Sequence, residues 1–186
     1  MAISFGGAGS YWSYWWGDDW YYHRTVVSDN ASDTLRGWNG WNDYLIGNGG
    51  NDDLIGYSGR DILQGSSNFS SSNNEIDILN GSWQNTTGDG ESDLFVLGTP
   101  SGNLYRGTGF AIIKNFELGL DTIQLKAGSG GNYGTGIIVE KQRHTLMGGG
   151  TSATDTLIKN ASGNLLAVIQ DQAYSFDDLS HSFELV

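Results

Sequence analysis

The sequence predicts an all-β chain folded as a stack of short coils. Three observations carry this expectation. First, a nine-residue pattern occurs twice in tandem, as Gly47-Asn48-Gly49-Gly50-Asn51-Asp52-Asp53-Leu54-Ile55 and Gly56-Tyr57-Ser58-Gly59-Arg60-Asp61-Ile62-Leu63-Gln64, with glycine at places one and four, aspartate at six and leucine at eight. Second, Asp33, Asp43, Asp52, Asp61, Asp77 and Asp93 are separated by 10, 9, 9, 16 and 16 residues, and each is followed two residues on by an apolar side chain: Leu35, Leu45, Leu54, Leu63, Leu79 and Phe95. Third, glycine fills 29 of 186 positions while proline appears once, which is not the make-up of a disordered linker.

The chain divides into three expected parts. Residues 1–27 form an aromatic-rich N-terminal cap or arm. Nine of the 23 aromatics fall before residue 25: Phe5, Tyr11, Trp12, Tyr14, Trp15, Trp16, Trp20, Tyr21 and Tyr22. Neither helical nor strand period dominates there. The plain reading is a cover for the open end of the coil stack. The sharper readings are a sugar-stacking platform or a self-association arm.

Residues 28–98 hold the repeats, interrupted by inserts at 66–72 and 82–87. Residues 99–186 read as a β-rich C-terminal cap. Strands are expected at Phe110–Phe116, Thr122–Leu125, Gly136–Glu140, Asp155–Lys159 and Leu165–Ile169, parted by turn signals such as Asn160-Ala161-Ser162-Gly163-Asn164. Phe176–Leu179 fits one helical turn. The apolar runs reach only four or five residues, too short to span a membrane.

Charge narrows the partners. The net charge is −12, which argues against nucleic acid and anionic membrane surfaces as partners. Residues 28–98 alone hold eleven acids against Arg36 and Arg60, a balance of −9. Interleaved with regular apolar positions, that excess favours a folded, cation-binding array over a solvated tail. With no cysteine, disulfides and thiolate metal sites are excluded. The N-terminus shows no basic region followed by a clean apolar run, so no cleaved secretory leader is expected.

The repeat has a direct chemical reading. Glycines let the first six residues turn tightly with their carbonyls inward. The last three residues make a short strand with one apolar side chain facing in. Two repeats complete a coil, and coils stack at the strand spacing of roughly 4.7–4.9 Å. An ion midway between stacked turns reaches oxygens of both, because calcium–oxygen distances are roughly 2.3–2.6 Å. Hard oxygen ligands suit calcium; zinc and copper would want His or Cys. Since each repeat reverses the chain, Asp33, Asp52 and Asp77 should line one side, and Asp43, Asp61 and Asp93 the other. Neighbours on a side share an ion, giving about four calcium sites. Asn30, Gly40, Gly47, Gly49, Gly56, Ser58 and Asp121 complete the candidate ligand set.

These residues resemble the RTX, or haemolysin-type calcium-binding, nonapeptide repeat, with its G-G-x-G-x-D-x-U-x pattern. Gly47–Gln64 matches closely. Ser28–Arg36 and Trp38–Ile46 carry Ser28 and Trp38 where the first glycine belongs. Ser72–Asn80 keeps little beyond Asp77 and Leu79, and Gly88–Val96 keeps Gly88, Asp93 and Phe95. Phe110–Leu125 resembles the capping segment that follows such repeats, with an aspartate like Asp121 ahead of an Ile-x-Leu strand. The resemblance implies a parallel β-roll, type I secretion through an uncleaved C-terminal signal of which Phe183-Glu184-Leu185-Val186 is reminiscent, and folding on meeting extracellular calcium. Without calcium the −9 stretch should repel itself, so ion binding becomes folding free energy.

Other chemistry finds little support. His23, His144 and His181 are far apart and form no HExxH pair. GxSxG, Walker and dinucleotide motifs are absent. The Asp18, Asp19 and His23 grouping reads as surface beside the aromatics. Most acids that a paired-carboxylate glycosidase would need are already claimed by the repeat. The expectation is therefore a non-enzymatic, secreted or cell-surface calcium-binding protein that acts structurally, as a homo-oligomer or in an extracellular assembly. The alternative is a carbohydrate- or surface-binding module using Trp12, Trp15, Trp16 and Trp20.

Overall fold

A computed structural model describes residues 12–16, 23–67, 74–83, 88–128, 136–143 and 153–186, with backbone alone at 12–16, 23 and 24. The platform side chains Trp12, Trp15, Trp16 and Trp20, the Asp18–Asp19–His23 grouping and most of both inserts thus lie outside what is described. The strands in chain order are β1 (Trp12–Trp16), β2 (His23–Val27), β3 (Thr34–Arg36), β4 (Asn42–Ile46), β5 (Asp53–Ile55), β6 (Ile62–Gln64), β7 (Ile76–Asn80) and β8 (Leu94–Val96). They continue with β9 (Gly98–Thr99), β10 (Gly102–Asn103), β11 (Phe110–Lys114), β12 (Thr122–Leu125), β13 (Ile137–Gln142), β14 (Asp155–Asn160), β15 (Leu165–Ile169) and β16 (Phe183–Leu185). One helical turn, α1 (Phe176–Leu179), precedes the last strand.

From β2 onward successive repeats feed two sheets in turn. Sheet I has the order β1-β2-β4-β6-β8-β12-β16, and sheet II the order β13-β14-β15-β11-β7-β5-β3. In sheet I every pairing from β2 to β16 is parallel, and in sheet II every pairing from β3 to β15 is parallel. The architecture is a parallel β-roll. Its margins are antiparallel: β1 lies against β2, and β13 and β14 extend sheet II beyond β15. Both sheets run on past residue 98, through β11 and β15 on one side and β12 and β16 on the other.

The eighth position of the repeat builds the core. Because registers are parallel and unshifted, equivalent apolar residues sit directly above one another. In sheet II the ladder is Leu35, Leu54, Leu79, Ile113 and Ile169. In sheet I it is Val26, Leu45, Leu63, Phe95, Ile123 and Phe183. Leu45, Leu54, Leu63, Leu79 and Phe95 have no exposed surface and Leu35 keeps 1%. Each such leucine contributes about 1.5–3 kcal/mol by leaving water. A strand of three residues cannot hold itself; the ladder between the sheets fixes it.

The expected strands of the C-terminal region form close to their predicted bounds, and α1 matches its predicted turn. Ser175 caps it, with reciprocal bonds to Asp178. The aromatic segment supplies a strand, β1, where no period was legible. Phe183–Leu185 pairs with β12 and joins sheet I.

The repeat register also differs from the sequence reading in one respect. Gly37 donates to the Ile55 carbonyl and Gly56 to that of Asn80, so the first place of successive turns falls at Gly37, Gly56 and Gly81 on one side. On the other side it falls at Ser28, Gly47, Gly65 and Leu97. Trp38 is therefore an extra residue behind a retained first glycine. The long units begin at Gly65 and Gly81, not at Ser72 and Gly88. Extra residues enter between the first glycine and the aspartate, and the strands on either side keep their pairing.

Leu54→Ala or Leu63→Ala is expected to lose about 2–5 kcal/mol of stability, because each opens a cavity between two stacked neighbours. Thr34→Ala, on an exposed position of β3, should stay within about 0.5 kcal/mol of the parent. Denaturant titrations of the three variants under folding conditions check the contrast.

Candidate metal centre

Two residues before each core ladder stands an aspartate, and the same register stacks these too. The sheet II column holds Asp33, Asp52 and Asp77; the sheet I column holds Asp43, Asp61, Asp93 and, one coil further, Asp121. None of the seven is more than 6% exposed. Five of the seven main-chain N–H groups donate to the Oδ1 of the aspartate one coil on: Asp33 to Asp52 at 2.8 Å, Asp52 to Asp77 at 2.8 Å, Asp43 to Asp61 at 2.7 Å, Asp61 to Asp93 at 2.9 Å and Asp93 to Asp121 at 2.9 Å. One oxygen of each receiving carboxylate thus replaces water with an amide.

The other oxygen defines a rung, the gap between a turn and its equivalent one coil on. A methyl group on Gly47 would come within 3 Å of both Asp52 Oδ2 and the Gly65 carbonyl oxygen. The same holds at Gly37 for Asp43 Oδ2 and the Gly56 oxygen, and at Gly56 for Asp61 Oδ2 and the Gly81 oxygen. Glycine is required at these places because a side chain would fill the space where two oxygens converge. Asp52 Oδ2 is the sharpest case. It is buried and accepts no hydrogen bond, so a carboxylate oxygen and a carbonyl oxygen border one space with no protein donor between them. Two acceptors in that relation are adverse unless a cation or a proton joins them.

Protein donors already serve the Gly37 rung and several places beyond these three. Trp38 N–H donates to Asp43 Oδ2 at 2.6 Å. The Ser28 hydroxyl, at the first place of its turn, donates to the Gly47 carbonyl. Tyr105, 1% exposed, donates its hydroxyl to Asp77 Oδ2 at 2.8 Å. Glu117 N–H donates to Asp121 Oδ2 at 2.8 Å, while the Glu117 carboxylate accepts from Asp89 and Gly90.

The structure thus brings the six repeat aspartates and Asp121 into two columns and places Gly47 and Gly56 on the rungs. Asn30, Gly49, Gly40 and Ser58 lie further out, where they link successive turns. Gly49 N–H donates to the Asp29 carbonyl at 3.4 Å. Gly40 N–H donates to Ser58 Oγ at 2.8 Å, and that hydroxyl donates to Asn39 Oδ1 at 2.8 Å. Gly37, Gly65 and Gly81 were hidden in the sequence by inserts. Tyr105 and Glu117 carry no repeat signal at all.

Burial dominates the electrostatics. It pushes the Asp52 carboxyl up to about 8, Asp93 to about 10, Asp121 to about 7 and Asp77 to about 6; amides donated by the preceding coil pull each back, and neighbouring acids push further. Among the described residues no three His, Asp or Glu side chains group as a ligand set. An ion on a rung would therefore draw on carbonyl oxygens as well as carboxylates. An all-oxygen donor set of that kind suits a hard divalent cation.

No family model and no curated protein matches the chain. Among solved structures, the AlgE6R3 subunit from the Azotobacter vinelandii mannuronan C5-epimerase is similar at 22% identity and a TM-score of 0.45, over 84% of this chain and 78% of that one. Among the described residues, no helix is long and apolar enough to cross a membrane.

The raised carboxyls fix the direction of a pH effect. Between the ordinary carboxylate value of about 4 and the folded values, the folded chain holds protons that the unfolded chain has released. In chelator, stability should be greatest below that window and fall as pH rises through 6, 7, 8 and 10. Thermal melts in chelator from pH 4 upward test this; a melting temperature that climbs toward pH 8 contradicts it.

Proposed function

We propose that this β-roll binds calcium on its aspartate columns, that ion uptake drives its folding, and that it serves as a structural element outside the cell. The observation that carries the reading is Asp52 Oδ2, buried without a hydrogen-bond partner beside the Gly65 carbonyl. The donor set supports calcium over softer metals, being wholly oxygen. Bound calcium supplies positive charge between oxygens that otherwise repel.

Each part of the chain has its task in this reading. Asp43, Asp52 and Asp61 present an Oδ2, and Gly56, Gly65 and Gly81 present the carbonyl of the next coil. The core ladders hold these oxygens in register. Among the described residues these three rungs each pair one Oδ2 with one carbonyl, against the four sites expected from aspartate spacing, and Asp43 Oδ2 accepts from Trp38 N–H besides. The Ser28 hydroxyl on the Gly47 carbonyl alters the rung above. The −9 balance of residues 28–98 supports coupling, because without cations that charge favours expansion.

The extracellular role rests on the calcium requirement, since millimolar affinities suit extracellular modules. A structural task is favoured over catalysis because the columns already engage the acids that a hydrolase would use. Association into a larger assembly belongs to the same proposal.

Two measurements test it. Calorimetric titration with calcium chloride should give saturable uptake, and circular dichroism should show strand content appearing on calcium addition. Full strand content in chelator removes the coupling; absence of uptake at millimolar calcium removes the calcium reading. Light scattering with and without calcium then tests assembly: growth in mass with calcium is expected, and an unchanged monomer rejects that role.

A further inference from the structure

The two columns end differently from the way they run. On the rungs at Gly47 and Gly56, an aspartate Oδ2 and the carbonyl of the first residue of the next coil border one space. At Gly65 the pattern breaks. A methyl there would come within 3 Å of Asp77 Oδ2 and of the Tyr105 hydroxyl. The next-coil residue, Leu97, has its carbonyl turned to other use, accepting from Leu104 N–H at 2.9 Å. The residue above Asp77 in the column is Ala111, so no further carboxylate follows.

We infer that Tyr105 stands in for the ion at the last rung of the sheet II column, so that Asp77 closes the column without being a calcium ligand. The inference rests on the calcium reading above. Its basis is a count of donors. Asp77 Oδ1 accepts from Asp52 N–H at 2.8 Å and Oδ2 accepts from the Tyr105 hydroxyl at 2.8 Å. Both oxygens of a carboxylate with no exposed surface are therefore committed to protein donors. The hydroxyl delivers at a fixed point the partial positive charge that elsewhere must come from a cation. It does so from a fully buried ring in the main core, the cluster that also holds Leu104 and Phe116. The sheet I column ends by the same logic with a different donor, since Asp121 accepts from Asp93 N–H on one oxygen and Glu117 N–H on the other. The last carboxylate of each column thus has both oxygens engaged by donors of the chain itself.

The test uses the full chain with calcium as the probe. Calcium stoichiometry is measured by calorimetry for the parent, Asp52→Asn and Asp77→Asn. The expected result is one ion fewer in Asp52→Asn and the parental count in Asp77→Asn. Tyr105→Phe keeps the ring and its packing, so it covers the case in which Asp77→Asn does not fold. Its melting temperature in saturating calcium should lie several degrees below the parent, because no ion replaces the lost hydroxyl. Loss of an ion in Asp77→Asn, or a Tyr105→Phe variant that melts with the parent in saturating calcium, overturns the inference while leaving the calcium reading intact. A parent chain that takes up no calcium overturns both.

Discussion

The structure depends on burying carboxylates one coil apart. Parallel register leaves no choice: once Leu54 stacks on Leu35 and Leu79, Asp52 must lie between Asp33 and Asp77. The apolar ladder that holds the sheets together therefore also forces like charges into a file away from water. Wherever another aspartate lies one coil on, the amide turns to that carboxylate and satisfies its Oδ1. That amide carries only a partial charge and cannot offset the whole cost of burial. The remainder falls on whatever stands at Oδ2. Chemistry and fold are one problem in this molecule.

The answer varies along the roll in a way that follows the sequence. The units Gly47–Ile55 and Gly56–Gln64 keep the full glycine pattern, and they supply the rungs where oxygen faces oxygen with Asp52 and Asp61. Toward either end the pattern decays, and protein donors enter: Ser28 at the start, Tyr105 and Glu117 at the finish. Loss of repeat identity is thus accompanied by gain of a hydrogen-bond donor. The irregular units are adapted ends, built so that the column can stop.

Legibility followed periodicity. The spacing of Asp33, Asp43, Asp52, Asp61, Asp77 and Asp93 was enough to assign alternate sides, because the period and the reversal of the chain are both local properties. Asp121 was legible only through the resemblance of Phe110–Leu125 to a capping segment, since the periodic series ends at Asp93. The first places of the longer units were not, since an insert erases the distance that marks them and only the pairing of Gly65 and Gly81 with neighbouring coils restores it. Tyr105 lies 28 residues from Asp77 in sequence, and no period connects a capping ring to the carboxylate it meets. The strand Trp12–Trp16 escaped because its alternation is blurred by aromatics on both parities. Asn48 and Tyr57 add a subtler case: both adopt positive φ, 68° and 78°, at the second place of their turns, where the repeat would supply glycine. Asparagine tolerates that backbone; Tyr57 keeps it while its ring packs 5.4 Å from that of Trp83.

The turns tolerate length between two fixed anchors. Gly65 and Asp77 keep the relation that Gly47 and Asp52 have, although many more residues join them, and Gly81 and Asp93 do likewise. A coil therefore constrains where its chain leaves one strand and enters the next, and places little demand on the path between. Such a frame separates the part of a sequence that must stay constant from the part that is free to diversify. Along the flanks of this roll, loops of differing size and chemistry can be carried in parallel rows, spaced by the strand repeat, without any cost to the register beneath them.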